Sequence, residues 1–343
     1  MTSVASSSTG AARASAQTPP LWFSLVRLAR PTQWTKSAFV LVGPFYALKD
    51  LDFRTQDPWQ LILRAFIAAA AFALVSSACY VVNDIFDRVA DRAHPRKCRR
   101  PIAAGHVSVA AAATFAGALL IAGASLVLLL RGANEGWVAL TLGLYALNVF
   151  LYSAYLKHKV IADVISLSLG FVLRVMGGCA AAGVEPSVWL LNVTFFLSMF
   201  LAFGKRLGER RTLAVADPEG APSAPQPGAL ARAVEHRRVQ AGYTDNLLQM
   251  AVMVSAVITL MTYALYVQDL GPRYTRGFNL MWLTMLPAFY GLFRCVVLIE
   301  RGRYDDPTEL ATRDRGFQAA GACFLVLTFA FLWWFAHHPV TAP

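Results

Sequence analysis

Long apolar segments recur along almost the whole chain, and they limit the folds available to it more than any other feature. A helix of about 20 residues crosses a hydrocarbon core of about 30 Å. Stretches of this kind lie at 59–83, 107–130, 137–154, 160–182, 187–204, 245–268, 278–299 and 317–337, and a shorter one at 37–48 follows the amphipathic segment 21–36. Only helices and closed barrels satisfy their backbone in lipid, and apolar runs this long exclude a barrel. The sequence therefore predicts an all-α, polytopic membrane helical bundle of about nine transmembrane helices.

The distribution of charge predicts how this bundle is oriented. Most of the 31 lysines and arginines fall in alternate loops, and cytoplasmic loops carry the excess of basic residues. We therefore expect a cytoplasmic N-terminus in the inner (cytoplasmic) membrane. Charged clusters recur at the cytoplasmic ends of several spans, which favours one active-site cavity facing the cytoplasm. The net charge of +11 then indicates membrane lipids and phosphorylated substrates as partners, and no nucleic acid.

Two stretches differ from the apolar segments in composition. Residues 1–20 are rich in Ser, Ala and Thr without an apolar core, which predicts a disordered leader. A Pro/Ala/Gly stretch at 214–230 predicts a flexible cytoplasmic loop over 207–242. The remainder, 21–340, is predicted to be a single transmembrane domain.

The segment 83–101 carries the strongest chemical signal. Asn83, Asp87 and Asp91 recur every four residues, so a helix places their oxygens on one face. Mg²⁺ prefers such carboxylates together with substrate phosphates, which predicts a metal-diphosphate site with these three residues as ligands and Asp84 as an auxiliary one. A basic cluster, Lys97, Arg99 and Arg100, follows beyond Pro95. The alternative interpretation is a solvated loop whose charges only set the topology.

Other clusters offer further candidates at the ends of spans. Asp163 and Arg174 are ionisable residues within an apolar span, where charge is costly and usually functional, although they could instead form a structural pair. Lys205 and Arg206 close the next span and are candidate phosphate ligands. The substrate-binding residues predicted over the whole chain are Gln33, Lys36, Lys97, Arg99, Arg100, Tyr152, Lys157, Arg174, Lys205, Arg206, Tyr243 and Arg313.

Together these motifs resemble the UbiA superfamily of intramembrane prenyltransferases. The run Asn83-Asp84-x-x-Asp87-x-x-x-Asp91 is similar to the first acidic motif of that superfamily. The chain is more narrowly similar to its branch of decaprenyl-type phosphate phosphoribosyltransferases. The matching strings are Arg30-Pro31-x-Gln33-Trp34-x-Lys36, Arg100-Pro101-Ile102-Ala103-Ala104-Gly105, Tyr152-Ser153, Leu156-Lys157-His158, Gly204-Lys205-Arg206, Tyr243-Thr244 and Arg313-Asp314-Arg315.

In one motif the chain departs from the pattern of the superfamily, and this difference indicates which branch the chain resembles. Aromatic prenyltransferases of the superfamily have a second DxxxD motif, whereas here Leu167 follows Asp163 by four residues and the basic run Lys157-His158-Lys159 precedes it. The resemblance therefore implies an enzyme with phosphoribosyl diphosphate as donor, a polyprenyl phosphate as acceptor and Mg²⁺ as cofactor. It also implies a product used in cell-wall arabinan synthesis. A homo-oligomer is compatible with the sequence.

The resemblance also implies roles for the candidate residues. Asp84, Asp87, Asp91 and Asp163 are expected at the catalytic centre, with Asp163 orienting a ribose hydroxyl or a basic partner. Lys97, Arg99 and Arg100 are expected to neutralise the leaving diphosphate. Lys36, Lys157 and Arg313 are expected at the ribose 5-phosphate, and Lys205, Arg206 and Arg174 at the lipid phosphate.

Two other functions are retained as alternatives. One is a UbiA-type aromatic prenyltransferase that uses a polyprenyl diphosphate donor. The other is a transporter, in which Asp163 and Arg174 would line a pathway.

Overall fold

The computed structural model describes residues 19–47, 57–92, 97–130, 134–216, 243–269, 274–275, 278–301 and 313–337. The α-helices are α1 (Leu21–Ala29), α2 (Phe39–Ala47), α3 (Pro58–Phe86), α4 (Arg88–Arg92), α5 (Val109–Leu128), α6 (Glu135–Ala154), α7 (Ala162–Ala182), α8 (Val188–Ala216), α9 (Asp245–Asp269), α10 (Met285–Glu300) and α11 (Arg315–His337). Short 3₁₀ helices cover Pro31–Ala38, Lys97–Arg99, Leu156–His158 and Leu280–Thr284. Two short antiparallel strands, β1 (Tyr274–Thr275) and β2 (Phe278–Asn279), precede the last of these.

The predicted all-α membrane bundle is confirmed. Eight helical segments in the described part of the chain are long and apolar enough to cross a membrane, and they coincide with the eight long apolar stretches of the sequence. The helices begin where local chemistry favours a start. Asp57 caps α3 by accepting a hydrogen bond from the Trp59 N–H, and Ser108 caps α5 through the Ala111 N–H.

The predicted span at 37–48 differs from this pattern, so a count of nine is not confirmed. It corresponds to α2, which has only nine residues and contains Pro44. A helix of this length covers about 14 Å, roughly half of a hydrocarbon core. Its approach is the 3₁₀ helix Pro31–Ala38, and residues 48–56, which follow it, lie outside the described residues.

The short α2 is held against α7 by glycine contacts. A β-carbon at Gly178 would overlap the carbonyl oxygen of Val40, and one at Gly43 would overlap the sulfur of Cys179. Small residues let membrane helices approach closely in this way. Of the eight spanning segments, α7 has the largest buried share, 67%, so it forms the centre of the bundle.

The N-terminal segment is fixed to α3 by two hydrogen bonds through one serine. Trp34 Nε1 donates to Ser77 Oγ at 2.9 Å, and Ser77 Oγ donates to the carbonyl of Ala29 at 2.7 Å. These bonds place Arg30 and Lys36 next to the end of α3 that carries the acidic residues.

The predicted loop and leader are described only in part. Residues 207–216 belong to the last turns of α8, so the beginning of the predicted loop is helical. The rest of that loop, 217–242, and residues 1–18 of the predicted leader lie outside the described residues.

Candidate active site

Asp84, near the end of α3, is the centre of the first charged network. The residue is 2% exposed, and its Oδ1 accepts hydrogen bonds from Arg30 Nη2 at 2.6 Å and Arg100 Nη1 at 3.0 Å. Arg30 ends α1 in the left-handed region, with φ of 52°, directly before Pro31. This backbone conformation costs about 1 kcal/mol or more for a residue with a β-carbon. The strained conformation of Arg30 brings its guanidinium to the buried carboxylate of Asp84.

Asp91 shares one of these arginines. Its Oδ2 accepts from Arg100 Nη1 at 2.7 Å, and the residue is 3% exposed. Arg100 therefore joins Asp84 and Asp91, the residues predicted as an auxiliary and a direct metal ligand. Arg100 itself, expected to face a diphosphate, neutralises protein carboxylates in the described arrangement.

Asn83 and Asp87 form a second group at the same helix end. Asn83 Nδ2 donates to Asp87 Oδ2 at 3.0 Å, and Lys157 Nζ donates to Asp87 Oδ1 at 3.2 Å. The backbone N–H of Asp87 donates a hydrogen bond to the carbonyl of Asn83, and that of Asp91 donates to the carbonyl of Asp87, so the predicted helical turns are present. Asp87 forms the junction between α3 and α4, and its side chain is 29% exposed. It is thus the most accessible carboxylate of the motif.

The fit of a metal ion depends on these two groups. Among the described residues, no three Asp, Glu, His or Cys side chains lie close enough together to hold a metal by themselves. Mg²⁺, however, commonly takes one or two protein carboxylates and completes its coordination with water and substrate phosphates. Asp87, which is 29% exposed although it pairs with Lys157, and the amide oxygen of Asn83 fit that requirement, whereas Asp91 is buried against Arg100.

Asp163 forms the third charged group, at the start of α7. It is fully buried, and it accepts hydrogen bonds from Arg206 Nη2 at 2.6 Å and from the Tyr243 hydroxyl at 2.7 Å. Arg206 also hydrogen-bonds Tyr152. The carboxylate therefore connects α7 to α8 and to the segment before α9. It does not form a structural pair with Arg174, so that alternative is wrong.

Tyr243 is held at both faces of its hydroxyl. The hydroxyl oxygen accepts a hydrogen bond from the N–H of Ile161 at 2.6 Å, and the hydroxyl donates a hydrogen bond to Asp163. Ile161 has a positive φ of 70°, which is a strained backbone conformation for a residue with a β-carbon. In this conformation its N–H points at the tyrosine oxygen. Burial first, and then the hydrogen bond to the Asp163 carboxylate, raise the pKa of Tyr243 against the opposing effect of the Ile161 N–H. Tyr243 is therefore a neutral phenol near pH 7.

Arg174 lies three turns deeper in α7 and is stabilised by aromatic contacts. Its Nη2 donates to the Tyr145 hydroxyl at 2.7 Å and its Nη1 to the Gly170 carbonyl at 3.1 Å. The guanidinium carbon lies 4.4 Å from the centre of the Tyr145 ring, a cation–π contact. Nε is buried without a hydrogen-bond partner within the described structure. One donor of this buried cation thus remains unused.

A pocket of about 160 Å³, called the polar pocket below, is lined by three cationic side chains. Two of them, Lys36 and Arg174, were predicted as site residues, and Arg30 was not. The pocket lies between the 3₁₀ helix after α1 and helices α3, α6 and α7. Arg30, Lys36 and Arg174 line it, together with Tyr152 and Asn148. Its volume is below the 300–1,000 Å³ that is usual for ligand pockets, so it can surround an anionic group but not a whole donor molecule.

A larger cavity of about 530 Å³, called the lateral groove below, adjoins the polar pocket. It runs between α3 and α6 beside Leu120 of α5, and most of its surface is apolar. Its polar end is formed by Asn83, Asp87, Lys157 and His158. The predicted grouping of Lys36 with Lys157 therefore differs from the structure, because the two lysines line different cavities.

The other predicted residues are not among those that line either cavity. Gln33 is half-buried on the 3₁₀ helix that carries Lys36, and Lys97 and Arg99 lie on their own 3₁₀ turn. Lys205 is exposed on α8. Arg313 is exposed as well, and the neighbouring Asp314 accepts hydrogen bonds from Arg294 of α10 at 2.5 and 2.9 Å.

The sequence predictions missed several residues that shape the polar pocket. Arg30 was part of a quoted motif but not of the predicted site, and Tyr145, Asn148 and Ser166 were not singled out. Asn148 and Ser166 bond each other twice, through Nδ2 to the Ser166 carbonyl and through Ser166 Oγ to Oδ1. A signal existed for α6, since Tyr145, Asn148 and Tyr152 share one face of an apolar helix.

The geometry defines a multi-pass membrane protein with ion-paired acids and cationic cavities at one end of its helices. Comparison with known proteins agrees with this class. A sequence model of the UbiA prenyltransferase family matches residues 38–217. The chain therefore belongs to the UbiA prenyltransferase family, and it is an integral membrane transferase.

Several relatives match most of the chain. The decaprenyl-phosphate phosphoribosyltransferase of Corynebacterium glutamicum is 32% identical over 295 residues, which cover 86% of this chain and 82% of the relative. The enzyme of the same name from Mycolicibacterium smegmatis is 32% identical over 305 residues, covering 86% and 87%. The resemblance to this branch is thus confirmed.

The fold matches solved structures of the same family. A UbiA homolog from Archaeoglobus fulgidus, solved with DMAPP and Mg²⁺, superposes with a TM-score of 0.62 over 90% of this chain and 99% of that one. The sequence identity is 18%, so this likeness concerns the fold. Membership in a family of transferases also leaves the transporter alternative without support.

Proposed function

We propose that this enzyme transfers a 5-phosphoribosyl group from phosphoribosyl diphosphate to a polyprenyl phosphate of the decaprenyl type and releases diphosphate. The observation that carries the proposal is the presence of two cationic sites in adjoining cavities. Arg30, Lys36 and Arg174 line the polar pocket, and Lys157 lies at the end of the lateral groove. Two such sites suit a reaction in which both substrates carry phosphate.

The two relatives support the same reaction. Both are named decaprenyl-phosphate phosphoribosyltransferases, and the chain matches them over 86% of its length. The state of Asp163 also favours this branch. It is fully buried and bound by Arg206 and Tyr243, so it offers no second acidic metal site of the kind that the aromatic prenyltransferases of the superfamily have.

The donor is assigned to the polar pocket and the adjacent end of α3. The ribose 5-phosphate is bound by Lys36, Arg30 and Arg174, whose cations face a space large enough for one anionic group. The unused Nε donor of Arg174 suits such an anion. The diphosphate then lies towards Asn83, which borders both cavities.

Asn83 and Asp87 are the residues that would hold Mg²⁺. When bound, Mg²⁺ supplies positive charge to the departing diphosphate. Asp91 was predicted as a third ligand, but it is bound to Arg100. Asp84 and Asp91 are therefore assigned to holding Arg30 and Arg100 in place.

In the transfer, an oxygen of the acceptor phosphate forms a bond to C1 of the ribose while the bond from C1 to the diphosphate oxygen breaks. The electron pair of that bond leaves with the diphosphate. A phosphate monoester is already anionic near pH 7, so the reaction needs no general base. Catalysis then comes from orientation and from charge stabilisation by the arginines and lysines of the two cavities.

The cations predicted at the lipid phosphate are reassigned on this basis. Arg206 is held by Asp163 and reaches Tyr152 at the edge of the polar pocket, so it positions the pocket wall. Lys157, at the end of an apolar groove, is the better candidate for the lipid phosphate. We place the site on the cytoplasmic side of the inner membrane, because the loops around it carry most of the basic residues.

The test is to incubate purified protein with Mg²⁺, phosphoribosyl diphosphate and a polyprenyl phosphate, and to measure diphosphate release and lipid mass. We expect a lipid heavier by one phosphoribosyl unit, and no product in EDTA. Prenylation of an aromatic acid from a polyprenyl diphosphate, without phosphoribosyl transfer, would instead establish the alternative prenyltransferase activity.

A further inference from the structure

Arg174 differs from the other arginines of the site in the charge of its partners. Arg30 and Arg206 each bind a carboxylate, at 2.6 Å in both cases. Arg174 is 4% exposed, and the hydrogen-bond and ring partners that it has among the described residues are all neutral. A buried cation without a counter-charge is costly, and within a membrane span it usually belongs to a functional site. The positive charge of Arg174 is therefore available to an anion in the polar pocket.

Tyr145 of α6 supplies two of the contacts of Arg174. Its hydroxyl oxygen accepts a hydrogen bond from Nη2 at 2.7 Å, and its ring centre lies 4.4 Å from the guanidinium carbon. The Phe171 ring lies farther from that carbon, at 5.3 Å, and the Gly170 carbonyl accepts from Nη1 at 3.1 Å. Tyr145 thus holds the guanidinium by a ring contact and by a hydrogen bond at the same time.

Tyr145 is itself held in place by α3. The residue is 3% exposed, its ring packs on that of Phe72 with 5.5 Å between the ring centres, and its hydroxyl donates to Ser76 Oγ at 3.1 Å. Because Ser76 accepts the phenolic proton, the oxygen of Tyr145 can present its lone pairs to Arg174. These contacts join α3, α6 and α7 and end at the wall of the polar pocket.

We propose that Tyr145 is a positioning residue, which sets the orientation of Arg174 and thereby the affinity of the polar pocket for the sugar phosphate of the donor. The proposal rests on the proposed function for the identity of that anion. Each Nη group of Arg174 already donates one hydrogen bond inside the protein, and Nε is buried without a partner among the described residues. Without the Tyr145 hydroxyl the guanidinium can turn, so an anion no longer meets a fixed set of donors. Binding of the phosphate weakens, whereas the chemical step at C1 of the ribose is unaffected.

The test compares ribose 5-phosphate binding and transfer kinetics in full-length wild type and Tyr145→Phe, both in nanodiscs. Phenylalanine keeps the ring contacts and removes only the hydroxyl. Since a hydrogen bond to a charged group is lost, we expect the Kd for ribose 5-phosphate and the KM for phosphoribosyl diphosphate to rise about tenfold. The kcat and the KM for the polyprenyl phosphate should stay within about twofold of wild type. An unchanged Kd and KM, or no ribose 5-phosphate binding by wild type, would overturn the proposal.

A second background separates positioning from a general structural effect. If Tyr145 acts through Arg174, Tyr145→Phe should change the Kd for ribose 5-phosphate much less in an Arg174→Gln background than in wild type. Equal effects in the two backgrounds would overturn the proposal. If Tyr145→Phe does not fold, Ser76→Ala serves the same purpose, because it removes the acceptor that orients the phenol.

Tyr290→Phe is the matched control. Tyr290 also accepts a hydrogen bond from an arginine, from Arg294 Nη1 at 3.2 Å, but it is exposed and is not among the residues that line either cavity. This variant should bind ribose 5-phosphate as wild type does. A loss as large as that in Tyr145→Phe would contradict the specific role of Tyr145.

The outcomes separate this inference from the proposed function. Weaker ribose 5-phosphate binding by Tyr145→Phe, in a protein that transfers no phosphoribosyl group, would support the positioning of Arg174 and reject the reaction. Transfer activity whose KM for phosphoribosyl diphosphate does not respond to Tyr145→Phe would support the reaction and reject the positioning role.

Discussion

Arg206 of α8 places Nη2 2.6 Å from Oδ2 of Asp163, a carboxylate with no exposed surface at the start of α7. The pair joins two helices whose contacting residues are 43 positions apart in the sequence. Tyr243 closes the other side of the carboxylate. We therefore propose that Asp163 is a positioning residue that holds α7, α8 and the segment before α9 around the polar pocket.

A double-mutant cycle should reveal this pairing. Asp163→Asn leaves Arg206 without its counter-charge, and Arg206→Gln leaves a buried carboxylate, so each single change should cost about 3 kcal/mol or more. The double variant should lose less than the sum of the two, because both charges are gone. Thermal unfolding in detergent, followed for all four proteins, gives the coupling.

Kinetics distinguish positioning from direct catalysis in the same series. We expect Asp163→Asn to raise KM for phosphoribosyl diphosphate more than it lowers kcat, since the polar pocket is distorted through Tyr152. Strict additivity of the stabilities, or a loss confined to kcat, would contradict the positioning role.

Asp87 and Asp91 should respond differently to substitution, because Asp87 is accessible and Asp91 is buried. Asp87 is 29% exposed at the groove, so Asp87→Asn should leave the unfolding temperature almost unchanged while raising the Mg²⁺ concentration for half-maximal activity roughly tenfold or more. Asp91 is buried against Arg100, so Asp91→Asn should also lower the unfolding temperature. Activity titrated against Mg²⁺, together with thermal unfolding, measures both effects.

Glu185→Gln is the control for this comparison, because Glu185 is an exposed acid in the turn between α7 and α8. It should change neither quantity. An Asp87→Asn variant with the metal dependence of wild type would remove Asp87 from the metal site.

The helices of this fold could be predicted from the sequence more completely than the contacts of the site. Hydrophobic length and the helical period are local properties, so the eight long spans and the succession Asn83, Asp87 and Asp91 were predictable. The partners of the acids were not. Arg30 reaches Asp84 from 54 residues away, and only the packing of the N-terminal segment on α3 determines that contact.

The short α2 shows how local and tertiary information combine. Its apolar run is short, which already separates it from the other spans, and it contains Pro44. The sequence could not show that α2 packs closely on α7. The need for glycine at Gly43 and Gly178 depends on the residues that face them from the other helix.

That close packing predicts a strong effect of one added methyl group. In Gly178→Ala the β-carbon would overlap the Val40 carbonyl, so α2 must move away from α7, at a cost of about 1–3 kcal/mol. Gly143→Ala is the matched control, since a β-carbon there meets nothing within 4 Å and a mid-helix alanine is favoured over glycine. We expect the unfolding temperature to fall in the first variant and to stay or rise slightly in the second. Similar effects of both changes would show that the α2–α7 contact does not limit stability.

The raised pKa of Tyr243 makes a prediction about pH. In the folded protein the phenol stays protonated above its ordinary pKa of about 10, whereas in the unfolded chain it ionises there. The folded state therefore holds the proton that the unfolded state releases, and the contribution of Tyr243 to stability is fully present below about pH 10 and is lost as the pH rises beyond it. Tyr243→Phe should lower stability by about 1–3 kcal/mol at pH 8, since Asp163 and the Ile161 N–H each lose a hydrogen bond. Unfolding temperatures of wild type and Tyr243→Phe, measured from pH 8 to 11, should converge above about pH 10. A constant difference over that range would mean that Tyr243 does not titrate with unfolding.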